Sequence, residues 1–212
     1  MEKKKRIWAR ITSLCLTLLM ALGLFGTAAF AAPIQENSGQ ITVSGVEEGV
    51  LVSAYQVLDV NFDYASQEAK SPLYVWSSEV QNWVKTNYAS YIKTADNSVT
   101  EAFSNATAEN VAAFYDAMAA AIRGGTIQLS PVTRTGNGTI GSLPMGGYLI
   151  LIENGMKVYR PSAVNVVPVY SDSAKEWQMN NPTVQVYPDL SGSCDCKRIC
   201  DQRYTVQRPD TG

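Results

Sequence analysis

Histidine is absent from the 212 residues. That removes the side chain that titrates nearest neutral pH, and with it Ser/His/Asp and Cys/His catalysis and the commonest metal ligand. Cysteine is scarce where a scaffold would need it. Cys15 lies near the start, Cys194, Cys196 and Cys200 crowd near the end, and Ala32–Ser193 has none, so the body of the chain is not a disulfide framework. Three late thiols without histidine or a fourth cysteine make an incomplete zinc set. They read as one disulfide with an odd thiol, or as an incidental tail, and neither a metal nor another cofactor is expected. No nucleophile motif and no isolated acidic pair stands out, so no catalytic residue is assigned and the chain is not expected to be an enzyme. Positive charge is also lacking. Beyond residue 32, twelve basic residues face eighteen acidic ones, a balance of −6, which gives no footing for nucleic acid.

One apolar run is present, and it is short. Lys3, Lys4, Lys5, Arg6 and Arg10 precede a mostly apolar Ile11–Phe25, and Ala29-Phe30-Ala31 follows with small residues around a bulky one. This pattern is a secretory signal cut between Ala31 and Ala32. An uncleaved anchor is the alternative, disfavoured by a core too short to span a bilayer. The expected organisation is a signal at 1–31, a flexible leader at 32–39, one domain at 40–189, and at 190–212 a tail or the truncated start of a further domain. Composition shifts after Leu190, where the β pattern ends and cysteines and basic residues appear.

Within the domain the spacing of apolar residues sets the expectations. Gln40–Gly45 alternates and reads as a strand, and Val50–Asn61, rich in β-branched and aromatic residues, as a longer one. Gly45-Val-Glu-Glu-Gly49 between them reads as a hairpin turn. Ser77 and Ser78 then open a helix carrying Glu79 in its first turn, with Val80, Trp83, Val84 and Tyr91 at helical spacing. Thr107 caps a second helix that Gly124-Gly125 stops, with Val111, Phe114, Met118 and Ile122 on one face. That stripe reads as core packed against a sheet rather than as a ligand groove. Strands are expected at Thr126–Leu129, Thr139–Leu143, Tyr148–Ile152, Lys157–Arg160, Ala163–Tyr170 and Thr183–Tyr187. Asn154-Gly155 reads as a tight hairpin turn. Tyr148-Leu-Ile-Leu-Ile152 has no polar alternation and is expected at the centre of a sheet. The fold class is therefore mainly β, an Ig-like β-sandwich with a helical insertion between early and late strands. Asn105-Ala-Thr107 and Asn137-Gly-Thr139 also fit a glycosylation pattern.

Three blocks carry a family resemblance. They are Ile41-Thr-Val-Ser-Gly-Val-Glu-Glu-Gly-Val-Leu-Val-Ser-Ala-Tyr-Gln-Val57, then Ile140-Gly-Ser-Leu-Pro-Met-Gly-Gly-Tyr-Leu-Ile150 with Tyr159-Arg-Pro161 after it, and last Trp177-Gln-Met-Asn-Asn-Pro-Thr-Val-Gln-Val-Tyr-Pro-Asp189. In order and spacing they resemble the N-terminal domain of Gram-positive sortase-assembled pilins. The third block is similar to that family's Trp-x3-Val-x-Val-Tyr-Pro-Lys motif, carried here by Trp177, Val184, Val186, Tyr187, Pro188 and Asp189, with a longer gap after the tryptophan. The resemblance implies a secreted, cell-wall-associated fimbrial subunit, or a fragment of one, that functions in adhesion. Its partners would be a sortase and other pilin subunits, and a host surface protein or glycan. A secreted Ig-like adhesin that does not polymerise is the second reading.

In that family the closing lysine attacks the acyl-enzyme that sortase forms with a Leu-Pro-x-Thr-Gly signal. A deprotonated amine suits that step. Here the position is Asp189, whose carboxylate cannot form the amide. Arg208-Pro-Asp-Thr-Gly212 reads in three ways: a degenerate sorting signal in Pro209, Thr211 and Gly212, a chance turn, or part of a further pilin-like domain beginning near Asp201. Many such domains also hold an internal Lys–Asn isopeptide. No lysine lies in residues 40–60, so none is expected here, although Glu153 resembles the family's catalytic glutamate.

Overall fold

The computed structural model describes residues 33–153, 155–172 and 176–188. Among these described residues, ten strands and three helices form three layers. In chain order they are β1 (Gly39–Ser44), β2 (Leu51–Asp63), β3 (Glu68–Trp76), α1 (Ser78–Asn87), α2 (Glu101–Ser104), α3 (Ala108–Arg123), β4 (Val132–Thr135), β5 (Gly138–Leu143), β6 (Gly146–Glu153), β7 (Ser162–Val166), β8 (Pro168–Ser171), β9 (Glu176–Met179) and β10 (Thr183–Gln185). One sheet has the order β10-β1-β5 and a larger one β3-β2-β6-β7, with β4 also paired to β2. The chain is thus the expected mainly-β sandwich, and its helical insertion falls between β3 and β4.

The middle sheet is apolar on both faces because its two central strands are. β6 is buried along almost its whole length. Its Tyr148, Ile150 and Ile152 join Val52 and Ala54 of β2 and Ile41 and Val43 of β1 in the core between the sheets. Its Leu149 and Leu151 point the other way, onto Val80, Val84, Phe114, Met118 and Ile122 of α1 and α3. A period-2 strand with no polar positions needs cover on both sides, and the helices supply the second cover. In β2 a register shift between Gln56 and Leu58 lets Val57 and Leu58 both reach the helical side, the usual effect of one extra residue.

α3 starts where the sequence placed it. Thr107 Oγ1 accepts a hydrogen bond from the Asn110 N–H, and Gly124 caps the end on the Ala120 carbonyl. Phe114, Met118, Ala119 and Ile122 are its buried residues. α1 also begins after Ser77, but that hydroxyl makes no cap bond. It donates to the Gln56 carbonyl 3.3 Å away and so ties the helix start to β2. Tyr91 is not on α1; it lies in a separate 3₁₀ turn, Ala89–Tyr91.

Several sequence expectations are corrected. β1 and β2 are not a hairpin: β1 pairs with β5 and β10. Gly45–Gly49 instead crosses from one sheet to the other, burying Val46 in the inter-sheet core on the way. Thr126–Leu129 is not a strand, because the Thr126 and Ile127 N–H groups are spent on the Ala121 carbonyl at the end of α3. Ile127 is buried all the same. Lys157–Arg160 makes only one bridge, Tyr159 to Pro188. Ala163–Tyr170 breaks into β7 and β8 at Val167, where Asn180 bonds both backbone groups. The β6–β7 register runs only from Gly146↔Val166 to Ile150↔Ser162, so the link is longer than a two-residue turn at Asn154-Gly155. Asn154 itself lies outside the described residues. Trp177 sits within β9, opposite Tyr170. Strands β3, β4 and β9 were not expected. No helix of the described residues is long and apolar enough to cross a membrane.

Candidate functional site

The sandwich has two poles. β2 begins beside the end of β6, Leu51↔Glu153, and ends well past the start of β6, which it last meets at Asp59↔Gly146. The first pole holds Leu51, Glu153, Glu47 and Tyr159. The second holds Gly146, Gly39 and the far end of β2.

The last strand, β10, is added to β1 in parallel, with Thr42↔Thr183, Val43↔Val184 and Ser44↔Gln185. Alternation then decides which side chains serve the core. Val184 packs against the inter-sheet cluster and Val186 is part of it. The Val186 N–H continues the pairing on the Ser44 carbonyl at 3.0 Å. Tyr187, one residue on, must face outward, and it is 73% exposed. Pro188 meets Tyr159, whose hydroxyl accepts from the Glu47 N–H. Close by, Lys157 Nζ pairs with Glu47 Oε1 at 3.6 Å. The stretch Val184–Pro188 therefore ends at the first pole with two apolar anchors inside and a tyrosine outside. Asp189 lies outside the described residues, as do Ala31, Ala32, Pro209, Thr211, Gly212 and the three late cysteines.

Trp177 is elsewhere. In β9 at the second pole it is 48% exposed, on the wall of an apolar groove of about 560 Å³ lined by Val60, Phe62, Leu73, Tyr74 and Pro168 among others. The motif's tryptophan and its Tyr-Pro end are thus parts of two surfaces, separated by the length of β10 and the Asn180–Pro182 link. Sequence reasoning did not find this groove, because it is built by residues about a hundred positions apart. The one local signal was Leu73 following Pro72, an apolar residue placed outward in an interrupted strand.

A second, polar recess of about 350 Å³ lies between β2 and the start of α1, with Gln56, Asp59, Ser77, Ser78, Glu79 and Ser130 around it. Burial, and then repulsion by Glu79, push the Asp59 carboxyl above its usual range. The Ser78 hydroxyl, donating at 2.7 Å, holds Glu79 below it. Among the described residues no three Asp, Glu, His or Cys side chains come together in a way that could hold a metal. None of Lys70, Lys85, Lys93 and Lys157 is buried, and among the described residues the buried polar side chains are Ser53, Ser77 and Ser98. Of the two glycosylation-pattern asparagines, Asn137 is committed to the fold: its side chain bonds both the N–H and the carbonyl of Val46. The Thr107 hydroxyl of the other pattern is the cap of α3.

No protein-family model matches the chain, and no curated protein matches it. Among solved structures, the chain is similar to the T6 backbone pilin of serotype M6 Streptococcus pyogenes, described as a modular three-domain structure decorated with variable loops and extensions. The TM-score is 0.46 at 12% identity, over 74% of this chain and 29% of that one.

Proposed function

We propose that this chain is a secreted structural subunit of a Gram-positive surface fibre, of the sortase-assembled pilin kind, or a fragment of such a subunit. Its role is adhesive and architectural, not catalytic. The observation that supports this reading most is the closing strand: Val184 and Val186 anchor a strand that delivers an exposed Tyr187 and Pro188 to one pole. That is where a covalent link to the next subunit would be made. The link itself needs an amine, and Asp189 offers a carboxylate. The chain as it stands is therefore a poor acceptor.

The experiment is incubation with a pilin-class sortase and a sorting-signal peptide, read by intact mass and peptide mapping. The wild-type chain is expected to gain no adduct near Tyr187. Asp189→Lys is expected to gain one peptide there. An adduct on the wild-type segment refutes the claim that Asp189 disables the site, and inert Asp189→Lys refutes the acceptor reading of the whole segment. The alternative, an adhesin that binds without polymerising, is favoured by the apolar groove at the opposite pole, a surface the crosslinking reading does not use.

A further inference from the structure

The residues ahead of β1 are seated on the sandwich at one point. Ile34 is only 7% exposed, although it lies outside both core clusters. Its backbone is held by one side chain on the β2–β3 turn. Gln67 Oε1 accepts from the Ile34 N–H at 2.8 Å, and Gln67 Nε2 donates to the Ile34 carbonyl at 3.2 Å and to the Tyr64 carbonyl at 2.6 Å. The amide can face only this way, since the reverse would set its oxygen against two carbonyls. A residue turns its N–H and C=O to one side when it is extended, as on a strand edge. Gln67 thus stands in for a neighbouring strand, reading both backbone groups of a residue whose aliphatic side chain is buried. It adopts φ +55° to do so, a conformation that residues other than glycine seldom hold without a local reason.

The turn that carries Gln67 is built without the leader. Asp63 Oδ1 accepts from the Ala65 N–H at 2.9 Å and from the Ser66 N–H at 3.2 Å, and Asp63 pairs with Glu68 across the ladder. The leader, by contrast, can come away whole. Among the described residues, the two bonds to Gln67 are the hydrogen bonds that tie residues 33–38 to the rest of the chain. The Ser38 hydroxyl bonds back to the Gln35 carbonyl, within the leader. Beyond it Gly39 is fixed, with Val166 and the Leu143 carbonyl standing where a Cβ would lie. Between the two anchors the chain turns at Glu36 and Asn37, with Asn37 at φ +60°. A short hinge held in the left-handed region is a setting in which an end segment changes places with that of a second copy: the swapped form keeps the same contacts and frees the hinge.

We propose that Gln67 and the site that buries Ile34 form a docking site for the leader of a second copy, filled in the isolated chain by its own. The exchange keeps every contact the leader makes and costs only the association of two chains, so concentration governs it. It needs neither a transpeptidase nor the closing segment, so it goes beyond the fibre reading and can fail independently of it.

The test is two-dimensional amide NMR on residues 32–212, with reductant present. In the wild-type chain the Ile34 amide is expected to exchange with solvent more slowly than those of Gln35 and Glu36, and Gln67→Met is expected to remove that protection. An Ile34 amide as fast as that of a free peptide, or one that Gln67→Met leaves unchanged, overturns the docking itself. Ile34→Asp then leaves the site without its plug. When this variant, isotope-labelled, is given the peptide of residues 32–38, its Gln67 side-chain amide signals are expected to shift to saturation. The wild-type chain is expected to need roughly tenfold more peptide, because a tethered leader competes. A peptide carrying Ile34→Asp, or a protein carrying Gln67→Met as well, is expected to give no shift. Last, the unlabelled Gln67→Met chain, whose leader has lost its own site, replaces the peptide and is expected to move the same signals. A wild-type peptide that never shifts Gln67 overturns the proposal. A peptide that binds where the Gln67→Met chain does not confines the leader to its own copy and overturns it as well. Unchanged β6 amide signals in each variant check that the sandwich is intact.

Discussion

Phe114 gives the sharpest test of how the helical layer is joined to the sandwich. It is fully buried in the cluster that also holds Leu149 and Leu151 of β6. Its ring lies 4.8 Å from that of Tyr88, 5.3 Å from Phe103, and 5.4 Å from both Trp76 and Tyr91. Removing a buried phenylalanine costs about 3–5 kcal/mol through lost transfer energy and the cavity left behind. The tilted and edge-on ring contacts place this site in the upper part of that range. Phe114→Ala is therefore expected to lose about 4 kcal/mol, or about 8–16 °C in Tm for a domain of this size. The assay is urea and thermal unfolding followed by near-UV circular dichroism, with Phe114→Leu as the milder control. The transition is expected to stay single and the urea m-value unchanged, because the face of β6 that Phe114 covers belongs to the same strand that fills the inter-sheet core. A loss below about 1.5 kcal/mol, smaller than any burial of this kind allows, refutes the packing argument. A two-step transition in which the helices melt first refutes the claim that the three layers are one cooperative unit.

Two other outcomes follow from single residues. Gly45 adopts φ +87°, and an added Cβ would strike the Val186 carbonyl, so Gly45→Ala is expected to lose about 1–3 kcal/mol in the same urea assay; a neutral result would mean that the closing strand is not held against that turn. Burial raises the Tyr115 hydroxyl from 10.0 to about 12. A pKa raised in the folded state means stability that is full below pH 10 and is lost as pH rises toward 12. Tyr115→Phe should then flatten the fall in unfolding free energy over that window, and identical alkaline profiles for the two proteins would exclude the effect.

The strongest elements were legible because one force dominated each of them. β6 has no polar position to offer solvent, β2 has a run of β-branched residues, and α3 has a cap, an apolar stripe and a glycine stop. β3 was hidden because Lys70, Ser71 and Pro72 break its alternation; in the structure the register against β2 jumps over that stretch, from Val60↔Tyr74 to Phe62↔Ala69. The supposed β1–β2 hairpin failed for a different reason. Positive φ at Gly45 and Gly49 is what a turn needs, but it does not say whether the chain returns to the same sheet. That choice was made by Val46, which the core between the sheets takes in. Of the closing segment, the inward valines and the outward tyrosine followed from alternation alone. Trp177 did not, because its neighbours come from β2, β3 and β8, and nothing local in the sequence brings those together.

The parallel pairing of β1 with β10 has a mechanical consequence. The first and last strands of the domain are neighbours running the same way, so tension applied at Gly39 and at Pro188 pulls them along their common axis in opposite directions. The Thr42-to-Pro182 and Val186-to-Ser44 backbone bonds then share the load in shear and must yield together, whereas an antiparallel closing strand would peel away one bond at a time. Resistance to extension is a matter of the unfolding rate under load rather than of equilibrium stability. Here the direction of one short strand sets it, and the half-buried Val184 and buried Val186 act as detents that must leave the core before the strands can slide.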